Sequence, residues 1–172
     1  DGNQKSNDAI RGEGMWERAI DGFLRIRKAD AEMGNTHRKM LANTILHAGN
    51  LSDFEAILDE QEGLGFDGVQ ILNLFRMGDS SVANELWFSP QDLIRLERLC
   101  SRLIDRKNRG GAYQIQNTVS ELENIVPYYR DELAPLDAPC WAGWKELYIN
   151  ADGKAIMCDT KLDFLNGEFG DV

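Results

Sequence analysis

The chain has 172 residues, 42% of them hydrophobic, with 19 basic against 29 acidic side chains and a formal net charge of −10. That length suits one domain, or one domain with a small appendage, and the apolar share is enough for a core. The acidic balance disfavours bare nucleic acid and anionic lipid as partners, and no apolar run reaches the length of a membrane span. Three cysteines are too few for a disulfide scaffold, and an odd count suits a reducing compartment, so the expected location is cytoplasmic. The polar start, Asp1-Gly-Asn-Gln-Lys-Ser, does not read as a signal peptide.

The first predicted element is a helix from Gly14 to about Met33. Trp16, Ala19, Ile20, Phe23 and Ile26 recur there at three- to four-residue spacing, and Gly34-Asn35 ends it. His37 to Leu46 carries no helical stripe and reads as a strand crossing a core. Ser52 and Glu55 have the spacing of a capping box ahead of Phe54, Ile57 and Leu58, which predicts a second helix to about Glu62. Gly63-Leu64-Gly65 closes it, and Phe66 to Phe75, with Val69, Ile71, Leu72 and Leu74, reads as a buried strand. Helix and strand alternating across glycine-marked joints is the rhythm of parallel βα units.

The third helix has the clearest start. Ser89 offers the cap, Pro90 takes the first helical position and Asp92 sits in the first turn. Leu93, Leu96, Leu99, Cys100 and Leu103 form its buried stripe, and Asn108-Arg-Gly-Gly111 terminates it. Tyr113 to Asn117 reads as a brief strand and Thr118 to Tyr129 as a helix whose end Pro127 obscures. Pro135 and Pro139 mark a joint, after which Trp144 to Asp159 reads as a β-hairpin with Asp152-Gly153 in its turn.

That hairpin is bracketed by Cys140 and Cys158, with twelve residues between Cys140 and Gly153 and four between Gly153 and Cys158. Thiolates are soft, negatively charged ligands for zinc or iron–sulfur centres, and antiparallel strands bring flanking residues together. Spacing alone leaves two readings open: a half-site for a metal or cluster, or two small buried hydrophobes. Cys100 has helical spacing among leucines and reads as core. His37 and His47 read as surface or core-edge residues, and Trp87, Trp141, Trp144 and Tyr148 as packing groups or a water seal, with a substrate wall as the alternative. No glycine-rich nucleotide loop, paired-histidine metal helix or nucleophile elbow is present.

Two stretches resemble the radical S-adenosylmethionine enzymes that carry a C-terminal auxiliary-cluster domain of the SPASM or twitch type. Asp1-Gly2 followed by Asn7-Asp8-Ala9-Ile10-Arg11-Gly12-Glu13-Gly14 is similar to the family's Ser-Leu-Asp-Gly … His-Asp-x-Ile-Arg-Gly-x-Gly. That motif closes the fourth barrel strand and leads into its helix; Asn7 stands where a histidine is common. Asn43-Thr44-Ile45-Leu46 with Asn50-Leu51-Ser52 resembles the fifth strand and the helix opening after it, and Phe66 to Leu74 resembles the sixth. Cys140 to Cys158 is similar to the start of the auxiliary domain: a Cys, a spaced Gly, and a Cys after four further residues.

The resemblance implies an α/β fold: residues 1–135 as the C-terminal part of a partial (β/α)6 TIM-like barrel, and residues 136–172 as a β-hairpin segment opening the auxiliary-cluster domain. It implies a parent enzyme that uses S-adenosyl-L-methionine and [4Fe–4S] clusters to generate a 5′-deoxyadenosyl radical. The implied substrate is a peptide or small molecule, and the implied electron donor is a flavodoxin or ferredoxin. Arg11, Asn43, Thr44 and Asn73 are the implied cofactor contacts, and Cys140 and Cys158 the implied ligands of an auxiliary cluster. The family's Cys-x3-Cys-x2-Cys loop does not occur in these residues. The chain is therefore expected to be an interior segment of a larger enzyme, unable by itself to cleave S-adenosylmethionine. Beside the resemblance, the residues leave open a non-catalytic α/β interaction domain and a zinc-stapled module.

Overall fold

Residues 2–35, 38–75, 81–133, 148–149, 154–156 and 168–171 are described in the computed structural model, which divides into two units, Asp1–Leu133 and Ala134–Val172. In the first unit, α1 (Gln4–Arg11) starts at Asn3, whose side chain accepts from the Ser6 N–H at 3.1 Å. The sequence reading assigns no element of its own there, and none of its side chains is buried. Helix α2 (Met15–Glu32) forms as predicted, but only Phe23 and Asp30 of it are buried. Phe23 stacks on Phe66 with centroids 3.9 Å apart. Arg27 donates to the Gly65 carbonyl and the Asp67 carboxylate, and that carboxylate also accepts from the Met40 N–H at 2.7 Å. These bonds tie α2 to the start of the sheet.

Strand β1 (Leu41–Leu46) is shorter than expected at its N-terminal end, where His37 lies outside the described residues. The next helix, α3 (Phe54–Gly63), begins at Asp53 without a side-chain cap. The predicted Ser52–Glu55 capping box does not form, because both side chains are taken by a distant helix. Arg95 donates to the Ser52 hydroxyl at 2.7 Å, and Arg102 pairs with the Glu55 carboxylate at 2.7 Å. Strand β2 (Gly68–Asn73) follows, then the short α4 (Ser81–Glu85) and α5 (Pro90–Arg109). Helix α5 opens at the Ser89 cap read from sequence, completed as a capping box: the Ser89 hydroxyl accepts from the Asp92 N–H, and the Asp92 carboxylate accepts from Ser89. Leu96, Leu99, Cys100 and Leu103 are buried as expected. Arg106 adds ion pairs to Asp59 and Glu62, completing an exposed lattice of charge between α3 and α5.

After β3 (Gln114–Ile115) the expected single helix is two: α6 (Val119–Glu123) and α7 (Ile125–Tyr129), with a break at Asn124. Pro127 lies in the first turn of α7, where a missing N–H leaves no intrahelical bond unmade. The three strands are parallel and lie in the order β1-β2-β3. Gly68 permits the close β2–β3 approach, since a Cβ there would stand 2.1 Å from the Gln114 carbonyl oxygen. Beyond Ile115 the buried Asn117 amide takes over the pairing, accepting from the Ile71 N–H at 2.8 Å and donating to its C=O at 2.9 Å.

Strand alternation divides this sheet into two unlike faces. Thr44, Leu46, Val69, Ile71 and Ile115 are buried, and the apolar ones share a core with Phe54, Leu58, Leu96 and Leu103 of the helices. The opposite face carries Leu41, Asn43, Ile45, Gln70, Leu72 and Gln114, all exposed or half-buried. The buried strand expected at Phe66–Phe75 is thus covered on one side only. Beside β1, which among the described residues pairs only with β2, a groove of about 450 Å3 is lined by Trp16, Ile20 and Phe23 of α2, Leu41 and Ala42 of β1, and Gln61 of α3.

The second unit contains β4 (Tyr148–Ile149), β5 (Lys154–Ile156) and β6 (Glu168–Asp171), antiparallel in that order. Tyr148 pairs with Ile156, which is the expected hairpin; its turn residues Asp152 and Gly153 lie outside the described residues. Strand β6 has no counterpart in the sequence reading.

Candidate functional site

The polar groups of the first unit gather at the carboxyl end of β1, where the chain turns through His47 to Asn50. Asn50 is buried; its side chain accepts from the His47 N–H at 3.0 Å and donates to the Ile45 C=O at 2.8 Å. His47 reciprocates by accepting the Gly49 N–H on Nδ1 at 3.1 Å, so that nitrogen carries a lone pair and the ring is neutral. The expectation of a surface or core-edge histidine is corrected: His47 is 2% exposed because this reciprocal cap folds it inward. A cavity of about 340 Å3 separates the turn, through His47, Asn50 and Asp53, from Ser6 and Ile10 of α1.

Desolvation holds the His47 imidazole down to about 4, against an ordinary value of 6.5. The unfolded chain therefore binds the proton first, and acid favours unfolding. Stability is expected to be complete well above pH 6.5 and to fall by roughly 3 kcal/mol as pH drops to 4. The Asp67 carboxyl, held low chiefly by the Met40 N–H, loses its contribution as pH falls through its unfolded value of 3.8, so the range above about pH 5 belongs to His47. Urea midpoints measured across pH 4 to 7 check this; a His47→Gln variant should lose the slope in that window.

Of the predicted site residues that are described, Asn43 and Thr44 face opposite sides of the sheet. Asn43 lies on the open face, paired across β1–β2 with Gln70. Thr44, its neighbour, points to the helix-covered face, fully buried, with its hydroxyl accepting from the Gln61 amide at 2.8 Å. Asn73 is exposed at the carboxyl end of β2, opposite Leu46. Arg11 is exposed in the last turn of α1, where a cation suits the helix dipole. Cys140 and Cys158 lie outside the described residues, as do Trp141 and Trp144. Cys100 is the buried core thiol expected, its pKa pushed up to about 12 by desolvation. Trp87 packs edge-on against Tyr129, whereas Tyr148 is exposed.

Sequence reasoning passed over Asp8. Its carboxylate accepts from the Gly14 N–H at 3.1 Å and the Trp16 N–H at 2.8 Å, capping α2 from within α1. Those bonds, the Trp16 one foremost, hold the carboxyl below its ordinary range. Gly12 and Gly14 supply the positive φ that the corner needs, 105° and 75°. The Asp-x3-Gly-x-Gly spacing was the available signal, and its local work is to build the α1–α2 corner. Tyr129 was also passed over, taken only as a helix terminus.

No protein-family model, curated protein or solved structure matches this chain. Among the described residues, no group of three or more His, Cys, Asp or Glu side chains is placed to hold a metal ion. No described helix is long and apolar enough to cross a membrane.

Proposed function

We propose that the chain is a wall segment of a radical S-adenosylmethionine enzyme, with its second unit opening an auxiliary-cluster domain. One observation carries the reading: three parallel strands in sequential order, with their helices on one face and the other face open. Parallel sheets ordinarily have both faces covered. A doubly wound sheet reverses its strand order, whereas a barrel keeps it and turns one face inward. The open face would then be barrel interior, and the free β1 edge beside α2 would take the preceding strand.

Asn43 and Gln70 present adjacent amides on that face and suit the hydroxyls of an adenosyl ribose. When bound, S-adenosylmethionine supplies the one-electron chemistry that removes a substrate hydrogen. Asn43 is the expected contact that this arrangement favours; Thr44 is engaged by Gln61 on the far face, and Arg11 and Asn73 are retained as proposed contacts. The described residues form no cluster ligand set, so no step through a cluster is assigned to them. Cys140 and Cys158 remain the proposed auxiliary ligands.

A second reading is a non-catalytic α/β interaction domain, with the open face and free edge as its docking surface. The absence of a metal-ligand group among the described residues favours it, and on those residues alone it is the closer fit. The complete gene product containing this chain separates the two. After anaerobic iron–sulfide reconstitution, Cys158→Ser is expected to lower bound iron by about four per chain, one [4Fe–4S] cluster, while reductive cleavage of S-adenosylmethionine persists at a reduced level. Iron content indifferent to that substitution, with no cleavage by the wild type, overturns the enzyme reading. Zinc bound without colour would assign the cysteines to a structural staple.

A further inference from the structure

We infer that Tyr129 is a positioning residue whose hydroxyl is inserted into the β1–β2 ladder and holds the carboxyl ends of the two strands apart. The last paired residues are Leu46 and Asn73. In a parallel ladder of that register, the next rung joins the Leu46 C=O directly to the Leu74 N–H. The phenol stands in its place. The Leu74 N–H donates to Tyr129 Oη at 2.7 Å, and the same hydroxyl donates to the Leu46 C=O at 2.6 Å. Two bonds in series occupy a gap that a single bond of about 2.9 Å would close, so the strands spread here instead of zipping further. The adjacent Tyr128 hydroxyl donates to the Leu74 C=O at 3.0 Å, so α7 holds both backbone groups of that residue.

The wedge is firmly seated. Tyr129 is 3% exposed, and its ring meets Trp87, Phe88 and Tyr128 edge-on at 4.7, 4.5 and 5.1 Å between centroids. Trp87 Nε1 donates to the Tyr129 C=O at 3.3 Å, fixing the backbone that carries the ring. Burial also raises the phenol above its ordinary pKa, which keeps the hydroxyl a donor throughout the neutral range. Barrels of parallel strands carry their sites in the crevice at the carboxyl ends of those strands. Asn73 stands at such an end on β2, and the Asn50-capped turn follows the other on β1. Assigning a cofactor to this crevice rests on the proposed enzyme reading; the wedge itself does not.

The test is solution NMR on the full chain. In the wild type, the Tyr129 hydroxyl proton should be visible, with a cross-relaxation peak to the Leu74 amide. No through-hydrogen-bond coupling should link the Leu74 nitrogen to the Leu46 carbonyl carbon. In Tyr129→Phe that direct coupling should appear, with the Leu74 amide still protected from exchange. A direct coupling already present in the wild type overturns the wedge. So does a Tyr129→Phe protein whose Leu74 amide exchanges tenfold faster with no coupling, since the hydroxyl would then be a mere partner. If that variant does not fold, the wild-type spectrum decides, and Tyr128→Phe must keep the hydroxyl signal; its loss there also overturns the wedge. None of these signals depends on iron or S-adenosylmethionine, so failure here and failure of the enzyme reading are told apart.

Discussion

Phe54→Ala is expected to remove about 3–5 kcal/mol of folding stability, the range for emptying a buried aromatic site. Phe54 is fully buried as the first residue of α3, in the core that includes Leu46 of β1, Leu58 of α3 and Leu96 of α5. Truncation loses the transfer free energy of the ring and leaves a cavity. Collapse into that cavity is resisted on two sides, since β1 is pinned by Asn50 and α3 is tied to α5 by the Arg102 and Arg106 ion pairs. Against a total of about 5–15 kcal/mol for a domain, this is a fifth of the stability or more. The urea midpoint should fall with an unchanged m-value. Leu24→Ala, on the outer side of α2 at 49% exposure, should stay within about 0.5 kcal/mol of wild type. Equal losses for the two would place the core elsewhere.

Asn117→Leu should cost about 2–4 kcal/mol, because it strands two buried backbone groups at once. The Asn117 amide answers both the N–H and the C=O of Ile71, in a stretch where β3 has already ended. Leucine matches the volume but offers neither donor nor acceptor. Hydrogen exchange reads the effect where it arises: the Ile71 amide should lose protection more than the amides of Leu99 or Leu103 in α5. A variant as stable as wild type, with Ile71 still protected, would mean that water or a shifted β3 supplies the missing partners.

Local signals in this chain were readable and distant ones were not. Ser89-Pro90-Asp92 predicted its cap correctly because every partner lies within three residues. Ser52 and Glu55 have the same kind of spacing, yet arginines about 43 and 47 positions away take them. His47 looked peripheral because nothing in its neighbourhood announces that Asn50 will fold it inward. The candidate site shows a different lesson. Adjacent strand residues face opposite sides, so Asn43 and Thr44 were never able to serve one site from a regular strand. Which of the two faces would stay open required the helices, and hence the whole unit. The Tyr129 hydroxyl meets Leu46 across 83 positions of sequence, a contact that no periodicity encodes.

The position of β1, which among the described residues pairs only with β2, has a consequence for how this chain can be handled and made. A strand edge without a partner among the described residues offers backbone donors and acceptors to any extended chain that arrives, and exposed Leu41 at its start adds an adhesive contact. Crowding therefore works against the isolated unit: raising its concentration brings copies into edge-to-edge pairing before it improves any measurement. In a cell an open strand edge of this kind is a reason for a newly made chain to need a holdase.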